Sequence, residues 1–506
     1  MGMLSCIRSA AVRGIDGFPV GVELDLANGL PCFQTVGLPD SSVREARDRV
    51  VSAVRNSGFD FPRRRITVNL APAERRKAGT HFDLPISLGI LLASGQLAAG
   101  PWSAECCFLG ELALDGAVRP VSGVLAMAAA AREAGLRTVV VPVANRAEAA
   151  AAGLTAVGVD SLREVAGWLR GEALPRRAGR SGNGAGPALE REGDLAEVRG
   201  QLLARRALEI SAAGGHHLLM VGPPGTGKSM LARCLPGILP PLAAEDAAAS
   251  TKLFSAAGRL AAGAGLVSRR PFRSPHATAS AAALVGGGAL CRPGEFSLAH
   301  GGVLFMDELP EFPRASLEAL RQPLEERAVT VARVSNTVIY PADFIWVAAM
   351  NPCPCGYRGS PQRGCACSDH AAERYRTRVS GPLLDRIDLQ VEMAPLPFAQ
   401  WSGRDGVRPE TSAEVALRVR AARRRAAARG AVRGNAAVPA GALKALCRLD
   451  KKTWDFVEWA AGQCLFSPRA LDRLLRVSRT IADMDCSDEV RETHVSEALQ
   501  YKLRRI

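Results

Sequence analysis

The chain has 506 residues, of which 47% are hydrophobic and 23% charged, a balance typical of a folded globular protein with two or three domains. No apolar run reaches membrane-spanning length, and the amino-terminal stretch lacks the apolar core of a signal peptide, so we expect a cytoplasmic protein without membrane segments. The net charge of +14 favours an acidic partner, with nucleic acid as the first candidate, although arginines on an indifferent surface would give the same value.

The amino-terminal third divides into an α/β region and a segment without periodicity. Short apolar strands are predicted in "RRITVNLAP" and "RTVVVPV", and a helix is predicted in "VLAMAAAAREAG". Residues 171–193 are rich in Gly, Arg, Pro and Ala, which is typical of an interdomain linker. We therefore expect a front domain at 1–170.

After the linker, apolar strands alternate with helices. "HHLLMVG" predicts a buried strand that leads into the glycine-rich loop "GPPGTGKS", and a helix is expected directly behind that loop. Two further buried strands are predicted in "GGVLFMDE" and "FIWVAAMN". This alternation predicts a doubly wound parallel sheet, and from about residue 395 the sequence reads as helical and Arg-rich.

The glycine-rich loop matches the pattern G-x-x-x-x-G-K-[ST], which binds nucleotide triphosphates. Its glycines let backbone N–H groups close around phosphate oxygens, and the following helix adds a positive dipole end. Lys228 is expected to reach the β- and γ-phosphates of ATP, and Ser229 to ligate Mg²⁺. The predicted ATP-binding residues are Gly222, Pro223, Pro224, Gly225, Thr226, Gly227, Lys228 and Ser229.

Polar residues follow the next two predicted strands, at the edge where such sheets bind ligands. Asp307 suits the Mg²⁺ shell and Glu308 suits activation of the attacking water, although an apolar run ending in Asp-Glu is often only a strand that meets a turn. Asn351 ends the later strand and fits a water-orienting role. Arg386, in "GPLLDRIDL", suits a charge offered to a neighbouring subunit's γ-phosphate, but spacing alone does not distinguish it from a surface arginine.

Four cysteines form two C-x-C pairs in "CPCGYRGSPQRGCAC". Four thiolates in a loop bent by Gly and Pro suit a tetrahedral structural Zn²⁺. The commoner ligand spacing is C-x-x-C, so a loop of reduced thiols is the alternative, and His370 offers a substitute ligand. The predicted zinc ligands are Cys353, Cys355, Cys365 and Cys367.

Three basic segments are candidates for contact with DNA. The first is an insertion at 258–288, and the second is a β-hairpin predicted at 328–342 around a Ser-Asn turn. The third, 418–434, has seven arginines and no acid, but it lacks aromatic residues that would stack on bases. Solvated loops, subunit contacts and an interface helix are the alternatives. The candidate DNA-binding residues are Arg269, Arg270, Arg273, His276 and Arg333.

Long strings of this chain recur together, in the same order, in one known family. The strings are "GQLLARRALEISAAGGHHLLMVGPPGTGKSMLA", "PGEFSLAHGGVLFMDELPEF", "LEALRQPLEE", "AAMNPCPCGY" and "SGPLLDRIDL". On these residues the chain from 194 onward resembles the magnesium-chelatase branch of AAA+ ATPases, and the full chain resembles the ComM/YifB family of bacterial Mg-chelatase-like proteins.

The resemblance implies an ATPase core at 194–395, a helical lid at 396–506 and a ring-forming homo-oligomer, a hexamer. It assigns Asn351 to the sensor-1 position and Arg386 to a trans-acting arginine finger. Arg469, in "FSPRALDRLLRVSRTIADM", matches the sensor-2 arginine of the lid.

Two segments of the front domain, "VNLAPAERRKAGTHFDLPISLGIL" and "GELALDGAVRPVSGVLAMAAAAREAGLRTVVVP", resemble the proteolytic domain of Lon. That chemistry needs a serine nucleophile and a lysine to take its proton. The serine position falls on or beside His81 and the lysine position on Leu125, and no lysine matches the place that would activate Thr80. We therefore predict a Lon-like domain that supports or guides a substrate and is not an active protease.

These features bear on three functions. The resemblance favours an ATP-dependent translocase on single-stranded or branched DNA, a branch-migration helicase that aids recombination in natural transformation. An ATPase that drives metal insertion or remodels a protein partner, as in magnesium chelatase, is the alternative; we expect the front domain and the cysteine loop to set this chain apart from it. A protease or passive scaffold is disfavoured by the missing dyad and by the complete set of ATPase residues.

Overall fold

The computed structural model of the protein describes residues 3–174, 193–288, 291–333, 336–360, 363–398, 400 and 408–502. Its elements follow one another as a front α/β group, a parallel sheet with helices, and a carboxy-terminal group of helices. The predicted fold class is confirmed. Most of the linker predicted at 171–193 lies outside the described residues.

The front group contains a four-stranded sheet in the order β1-β2-β4-β3, a three-stranded sheet β5-β8-β9 and a small ribbon β6-β7. Its strands are β1 (Met3–Arg13), β2 (Asp16–Ala27), β3 (Cys32–Val36), β4 (Arg65–Ala71), β5 (Cys106–Phe108), β6 (Glu111–Leu112), β7 (Val118–Arg119), β8 (Thr138–Pro142) and β9 (Thr155–Val159). Its helices are α1 (Ser41–Arg44), α2 (Ala46–Asn56), α3 (Asp83–Ala93), α4 (Trp102–Glu105), α5 (Val124–Glu133), α6 (Arg146–Ala150) and α7 (Leu162–Leu169). The two strands and the helix predicted here are confirmed as β4, β8 and α5.

The long antiparallel hairpin β1–β2 was missed by the sequence analysis. Its ladder runs from Met3 opposite Leu26 to Arg13 opposite Asp16. Gly14 makes the turn with φ +67, a left-handed conformation that glycine adopts without steric cost. Every second residue of β2 is buried, so this hairpin covers one face of the front core.

The middle group carries a five-stranded sheet in the order β11-β14-β17-β10-β18, in which every neighbouring pair is parallel. Its strands are β10 (Leu218–Val221), β11 (Phe272–Arg273), β12 (Gly286–Gly287), β13 (Arg292–Pro293), β14 (Val303–Met306), β15 (Ala328–Arg333), β16 (Asn336–Pro341), β17 (Ile345–Met350) and β18 (Leu389–Glu392). Its helices are α8 (Leu202–Gly214), α9 (Lys228–Ile238), α10 (Ala244–Ala256), α11 (Ala281–Val285), α12 (Glu295–Leu298), α13 (Arg314–Glu318), α14 (Arg321–Glu326), α15 (Asp369–Arg376) and α16 (Gly381–Leu384).

Both faces of this sheet are buried, as the apolar strands predict. Leu218 and Met220 of β10 enter one hydrophobic core, while Leu219 between them enters another. The same alternation holds along β17, where Val347 belongs to the first core and Trp346 to the second. Because both faces are covered, polar side chains lie near the ends of the strands. We call the side where the strands begin the amino edge of the sheet and the side where they end its carboxyl edge.

Two details of the sequence prediction are wrong. The segment 258–288 is not wholly an insertion, because Phe272 and Arg273 form the edge strand β11 and pair with β14. The hairpin β15–β16 is present, but Asn336 pairs with Arg333 as the last pair of the ladder, so it flanks the turn and is not one of its two central residues. Both errors come from very short or marginal strand patterns.

The carboxy-terminal group is helical, as predicted, and it shares a hydrophobic core with the sheet. Val419 and Ile481 from these helices lie in the same cluster as Leu218 of β10. No helix in the part of the chain that the structure describes is both long and apolar enough to cross a membrane. The helices are α17 (Ser412–Ala428), α18 (Ala440–Cys447), α19 (Lys451–Cys464), α20 (Pro468–Met484) and α21 (Glu492–Gln500).

Among the described residues, the contacts between the front group and the middle group include a hydrogen bond from the Gly263 N–H to the Ala144 carbonyl at 2.8 Å and two further sites, at α10 and at the hairpin β15–β16. The Ser255 hydroxyl of α10 donates to the buried carboxylate of Glu148 at 2.6 Å and accepts from the Gly123 N–H at 2.6 Å. At the hairpin, the front residue Ile15 packs on the core that contains Val338 of β16. The front group is therefore fixed to the hairpin and to α10.

A buried carboxylate holds the lid helices together. Asp483 of α20 accepts from Arg429 at 2.5 Å, from Arg479 at 3.0 Å and from Asn435 at 2.8 Å. The side chains of Arg479 and Asp483 are 2% and 1% exposed. Each charge therefore depends on the other to remain buried.

We predict that Asp483→Ala lowers the free energy of unfolding by about 3–5 kcal/mol, because it leaves Arg479 buried without its carboxylate. Urea unfolding followed by circular dichroism measures the change. The control is Asp488→Ala, which removes a carboxylate that is 79% exposed and paired with Arg425, and it should cost no more than about 1 kcal/mol. Equal losses in the two variants would contradict the assignment.

Candidate active site

The glycine-rich loop connects β10 to α9 at the carboxyl edge of the sheet. Gly225 and Gly227 have φ values of +78 and +90, and a Cβ on either would meet open space. A Cβ on Gly222 would lie 2.4 Å from the carbonyl oxygen of Met393, so only glycine fits there. The loop therefore has the left-handed turns and the open side that a phosphate cradle requires.

Lys228, the first residue of α9, is 8% exposed and bonds within the loop. Its ammonium donates to the carbonyls of Gly222 at 2.6 Å and Pro223 at 2.8 Å, and to the side-chain oxygen of Asn351 at 3.2 Å. Burial lowers the pKa of Lys228, while the carboxylates of Asp307 and Glu308 oppose that shift. The structure thus brings the loop lysine and the asparagine at the end of β17 together.

Hard oxygen ligands lie beside this lysine. The Ser229 hydroxyl donates to Asp307 at 2.6 Å, so two oxygens of the kind that Mg²⁺ prefers are adjacent. Glu308 is exposed and has φ +52, and its N–H donates to Asp307 at 2.9 Å. Left-handed residues other than glycine concentrate at functional sites, and this one turns its carboxylate out of the strand.

Two contacts to this site were not anticipated from the sequence. Gln201, just before α8, donates to the carbonyls of Ala394 at 2.7 Å and Thr226 at 3.4 Å. Tyr375 of α15 lies near Glu308 and the backbone of Asn351, and burial raises the pKa of Tyr375 to about 12. Neither belongs to a short motif, so only the folded chain identifies them.

Arg386 and Arg469 lie away from the loop. Arg386 precedes β18, and its guanidinium pairs with Glu325. Arg469 is exposed in the first turn of α20. Partial burial and the positive charges of Arg321 and Arg469 lower the pKa of Arg386, so the two arginines are neighbours.

Both arginines line a cavity of about 1150 Å³ between the sheet and the lid helices. His217, Gly302, Phe344 and Asp388, which precede β10, β14, β17 and β18, also line it, so it lies at the amino edge of the sheet. Parallel strands of four residues span roughly 13 Å. The chain therefore holds these arginines about one strand length from its own phosphate loop.

More arginines than acidic residues line this cavity, and several of the arginines pair with carboxylates in the same wall. Burial, aided by the charge of Arg270, lowers the pKa of Arg423 in its wall to about 10. Crowded guanidinium groups repel one another, and an anion placed among them relieves that repulsion. Its arginines are Arg270, Arg327, Arg386, Arg420, Arg423, Arg424, Arg433, Arg469, Arg473 and Arg476.

The four cysteines converge in one cluster beyond β17. The sulfurs of Cys353 and Cys355 are 3.4 Å apart, and each lies 3.6 Å from that of Cys365. With Cys367, all four lie within 4.8 Å of one another. Zn–S bonds of about 2.3 Å place tetrahedral sulfurs roughly 3.8 Å apart, so the cluster fits zinc.

Main-chain groups also support a thiolate in this loop. The N–H groups of Tyr357 and Ala366 stabilise the Cys355 thiolate and lower the pKa of Cys355 to about 6. The N–H of Cys367 donates to the Cys365 sulfur at 3.4 Å. His370, named as a substitute ligand, is exposed on α15 and is not part of the cluster.

Two of the five candidate DNA contacts are used within the chain. Arg270 donates to the carbonyls of Pro240 at 2.5 Å and Pro241 at 3.2 Å, and also to that of Gly301. Arg273 pairs with Glu295 at 2.6 Å. These guanidinium groups anchor the segment on the sheet.

The other three candidates are Arg269, His276 and Arg333. Arg269 and His276 are exposed, and His276 shares a hydrogen bond of 2.8 Å with Thr278. The side chain of Arg333 lies outside the described residues. In the run 418–434, several arginines pair with carboxylates from elsewhere in the chain: Arg418, Arg425, Arg429 and Arg433.

The positions that match the Lon dyad lie in the interior of the front group. Thr80 donates to Glu111, and His81 is buried, which lowers the pKa of His81 to about 4. Leu125, at the lysine position, is buried in α5. Lys77 is also buried, and its ammonium donates to main-chain carbonyls. No lysine–hydroxyl pair of the Lon type is formed by these residues.

We predict that Glu308→Gln lowers the rate of ATP hydrolysis by about 100-fold or more, because an amide cannot take the proton of the attacking water. Binding of ATP should be retained. Phosphate release and binding of a fluorescent ATP analogue measure the two effects. Glu311→Gln, three residues later and paired with the exposed Arg378, is the control, and a loss equal to that of Glu308→Gln would refute the role.

Family profiles match three consecutive parts of the chain. Residues 194–401 match the profile of magnesium chelatase, subunit ChlI, and residues 409–502 match that of its C-terminal part. Residues 22–145 match a profile described as subunit ChlI of Mg-chelatase. The expectation that a front domain sets this chain apart from magnesium-chelatase subunits is therefore not supported.

Full-length relatives show the family directly. The YifB protein of Salmonella typhimurium is 43% identical over 506 residues, covering 99% of this chain and 97% of the relative. Rv2897c of Mycobacterium tuberculosis is 42% identical over 501 residues, with 98% and 97% covered. The competence protein ComM of Haemophilus influenzae is 41% identical over 517 residues, with 99% and 97% covered. The chain belongs to the YifB/ComM family of magnesium-chelatase-like AAA+ ATPases.

Proposed function

We propose that this protein is a cytoplasmic, ring-forming ATPase that moves DNA, a branch-migration helicase that aids homologous recombination in natural transformation. The observation that carries the proposal is the separation of one ATPase residue set onto two edges of a parallel sheet. Lys228 and Asp307 lie at one edge, whereas Arg386 and Arg469 lie at the other. A ring, which we propose to be a hexamer, brings the arginines of one subunit to the ATP of the next.

In this proposal, ATP is hydrolysed by residues at the carboxyl edge of the sheet. Lys228 binds the β- and γ-phosphates, and the loop N–H groups surround them. Ser229 and Asp307 would hold Mg²⁺, which neutralises phosphate charge when bound. Glu308 takes a proton from the water that attacks the γ-phosphorus while the bond to the ADP oxygen breaks, and Asn351 orients that water.

The neighbouring subunit completes the site. Arg386 and Arg469 offer two guanidinium groups to the charge that develops on the γ-phosphate. The lid helices share one hydrophobic core with the sheet, so Arg386 and Arg469 belong to the same packed unit. ATP therefore acts as a bridge between adjacent subunits.

We predict that two inactive variants restore hydrolysis when mixed. Lys228→Ala lacks ATP binding but keeps the arginines, and Arg386→Ala keeps the ATP loop but lacks the finger. In mixed rings, some interfaces combine an intact loop with an intact arginine. Phosphate release should recover to about a quarter of the wild-type rate for random pairing of neighbours.

The control mixes Lys228→Ala with Glu308→Gln, which both affect the same edge. Neither variant in that mixture has a complete ATP-binding edge, so no interface can hydrolyse ATP and no recovery is expected. If the first mixture also stays inactive while an affinity tag on one variant co-purifies the other, which shows mixed oligomers, the arginines act within their own chain.

Two observations support DNA as the substrate: the net charge of the chain and its similarity to a competence protein. The net charge is +14, and Arg269 and His276 remain exposed beside the sheet. A relative that covers nearly the whole chain is a competence protein, and competence is the uptake of DNA. Electrostatic binding of DNA should weaken steeply with salt, because bound counterions are released.

We predict that DNA stimulates ATP hydrolysis, most strongly with branched forms, and that the stimulation falls as salt rises. Arg269→Glu should reduce the stimulation several-fold, whereas the same reversal at the exposed Lys451 of the lid should not. Glu308→Gln supplies the inactive reference. Hydrolysis indifferent to every DNA form tested would move the assignment to the alternative, a magnesium-chelatase-like ATPase that drives metal insertion or remodels a protein partner.

We also propose that the cysteine cluster holds a structural Zn²⁺. Cys353, Cys355, Cys365 and Cys367 would be its ligands, and the ion would cross-link the loop without taking part in hydrolysis. The sulfur separations support this proposal. Four thiolates leave no open position for substrate, which is typical of structural sites.

A further inference from the structure

The cysteine loop lies directly against the ATP loop. It begins at the end of β17, where Asn351 accepts from Lys228 at 3.2 Å. Two residues later Cys353 is fully buried, and its carbonyl accepts from the N–H of Gly356 at 2.9 Å, closing a turn. This turn places the backbone of Gly356 next to the phosphate loop.

Gly356 contacts Pro224 without space for a side chain. A Cβ at this position would lie 2.7 Å from Cδ and 2.9 Å from Cγ of Pro224, and 3.8 Å from Cγ of Asn351. The atoms of the Pro224 ring are fixed to the backbone of the phosphate loop, so they cannot rotate away. The backbone of Gly356 therefore packs against the ring of Pro224.

The far side of the cysteine loop is also attached. Arg358 pairs with Asp369 at 2.8 Å, and Tyr375 on the same helix lies near the Asn351 backbone and Glu308. The loop thus has contacts to the ATP site before and after its cysteines. The conformation of the cysteine loop therefore affects the positions of Pro224 and Asn351.

We infer that the cysteine loop is a metal-dependent brace for ATP binding: zinc held by the four thiolates fixes Gly356 against Pro224 and so positions the phosphate loop and Asn351. The inference rests on the proposed ATP and zinc sites and adds a positioning role to the metal. A loop cross-linked by one ion keeps a single conformation, whereas the metal-free loop samples many and no longer supports its neighbour.

The pair Gly356→Ala and Gly359→Ala tests the brace. Both glycines lie in the loop with similar left-handed φ values, +85 and +75, so the backbone strain is matched. A Cβ on Gly356 meets Pro224, whereas a Cβ on Gly359 meets nothing within 4 Å. Gly356→Ala should weaken binding of a fluorescent ATP analogue roughly tenfold, because small displacements of positioning groups are costly. Gly359→Ala should stay within about twofold of wild type.

Zinc content is measured on the same preparations. Wild type and both glycine variants should hold about one zinc per chain, and Cys365→Ser should lose it together with ATP affinity. Cys464→Ser, which changes an exposed thiol outside the cluster, should keep both. If Cys365→Ser does not fold, release of zinc from the wild type by a thiol-reactive mercurial should weaken binding in the same way.

The outcomes separate the inference from the function on which it rests. Wild-type chain without zinc, or equal ATP affinity in the two glycine variants, overturns the brace and leaves the ATPase unaffected. Wild-type chain that binds no Mg–ATP overturns the proposed function itself. Zinc loss with unchanged ATP affinity leaves a structural metal without the positioning role and refutes the inference.

Discussion

The common direction of five strands determines where this protein can do chemistry. Apolar side chains cover both faces of the sheet, so charged groups are stable only where strands begin or end. Because all neighbouring pairs are parallel, β10, β14 and β17 deliver Lys228, Asp307 and Asn351 to one edge. The same direction delivers Arg386, ahead of β18, to the other edge. If β18 ran in the opposite direction, Arg386 would lie at the same edge as Lys228.

Packing of the lid maintains this division. One hydrophobic core runs from β10 through α8 and α9 to the lid helices, and the buried pair Arg479–Asp483 fixes α20 within it. Arg469 therefore has a defined place beside Arg386. The arginine-lined cavity is formed within the folded chain.

The sequence predicted those parts whose signal is local and strong. Continuous apolar runs identified β10, β14 and β17, and the glycine pattern identified the turn between β10 and α9, because each pattern lies within about eight residues. The hairpin β1–β2 was missed because alanine and serine blur the alternation of its first strand. The two-residue strand β11 is too short to give a pattern at all.

Partners distant in the chain explain the remaining differences. Nothing near Arg273 in sequence reveals that Glu295 neutralises it, and Arg270 is satisfied by carbonyls some thirty residues away on either side. Cysteine spacing indicated a metal loop, but only the folded chain shows that Gly356 touches Pro224. Basic composition alone thus overstated the surface available for nucleic acid.

The contacts of Ser255 and Ile15 join the parts of the chain on the two sides of the predicted linker. A linker of this composition normally separates units that fold alone, yet here a hydroxyl on α10 completes the shell of a buried front carboxylate, and a front isoleucine covers the base of the hairpin. Cutting the chain at the linker would leave Glu148 short of a hydrogen bond and expose apolar surface around Val338. Expressed by itself, the part of the chain from residue 194 would therefore be more prone to aggregate than the full chain, because apolar surface that the front group covers would be exposed to water.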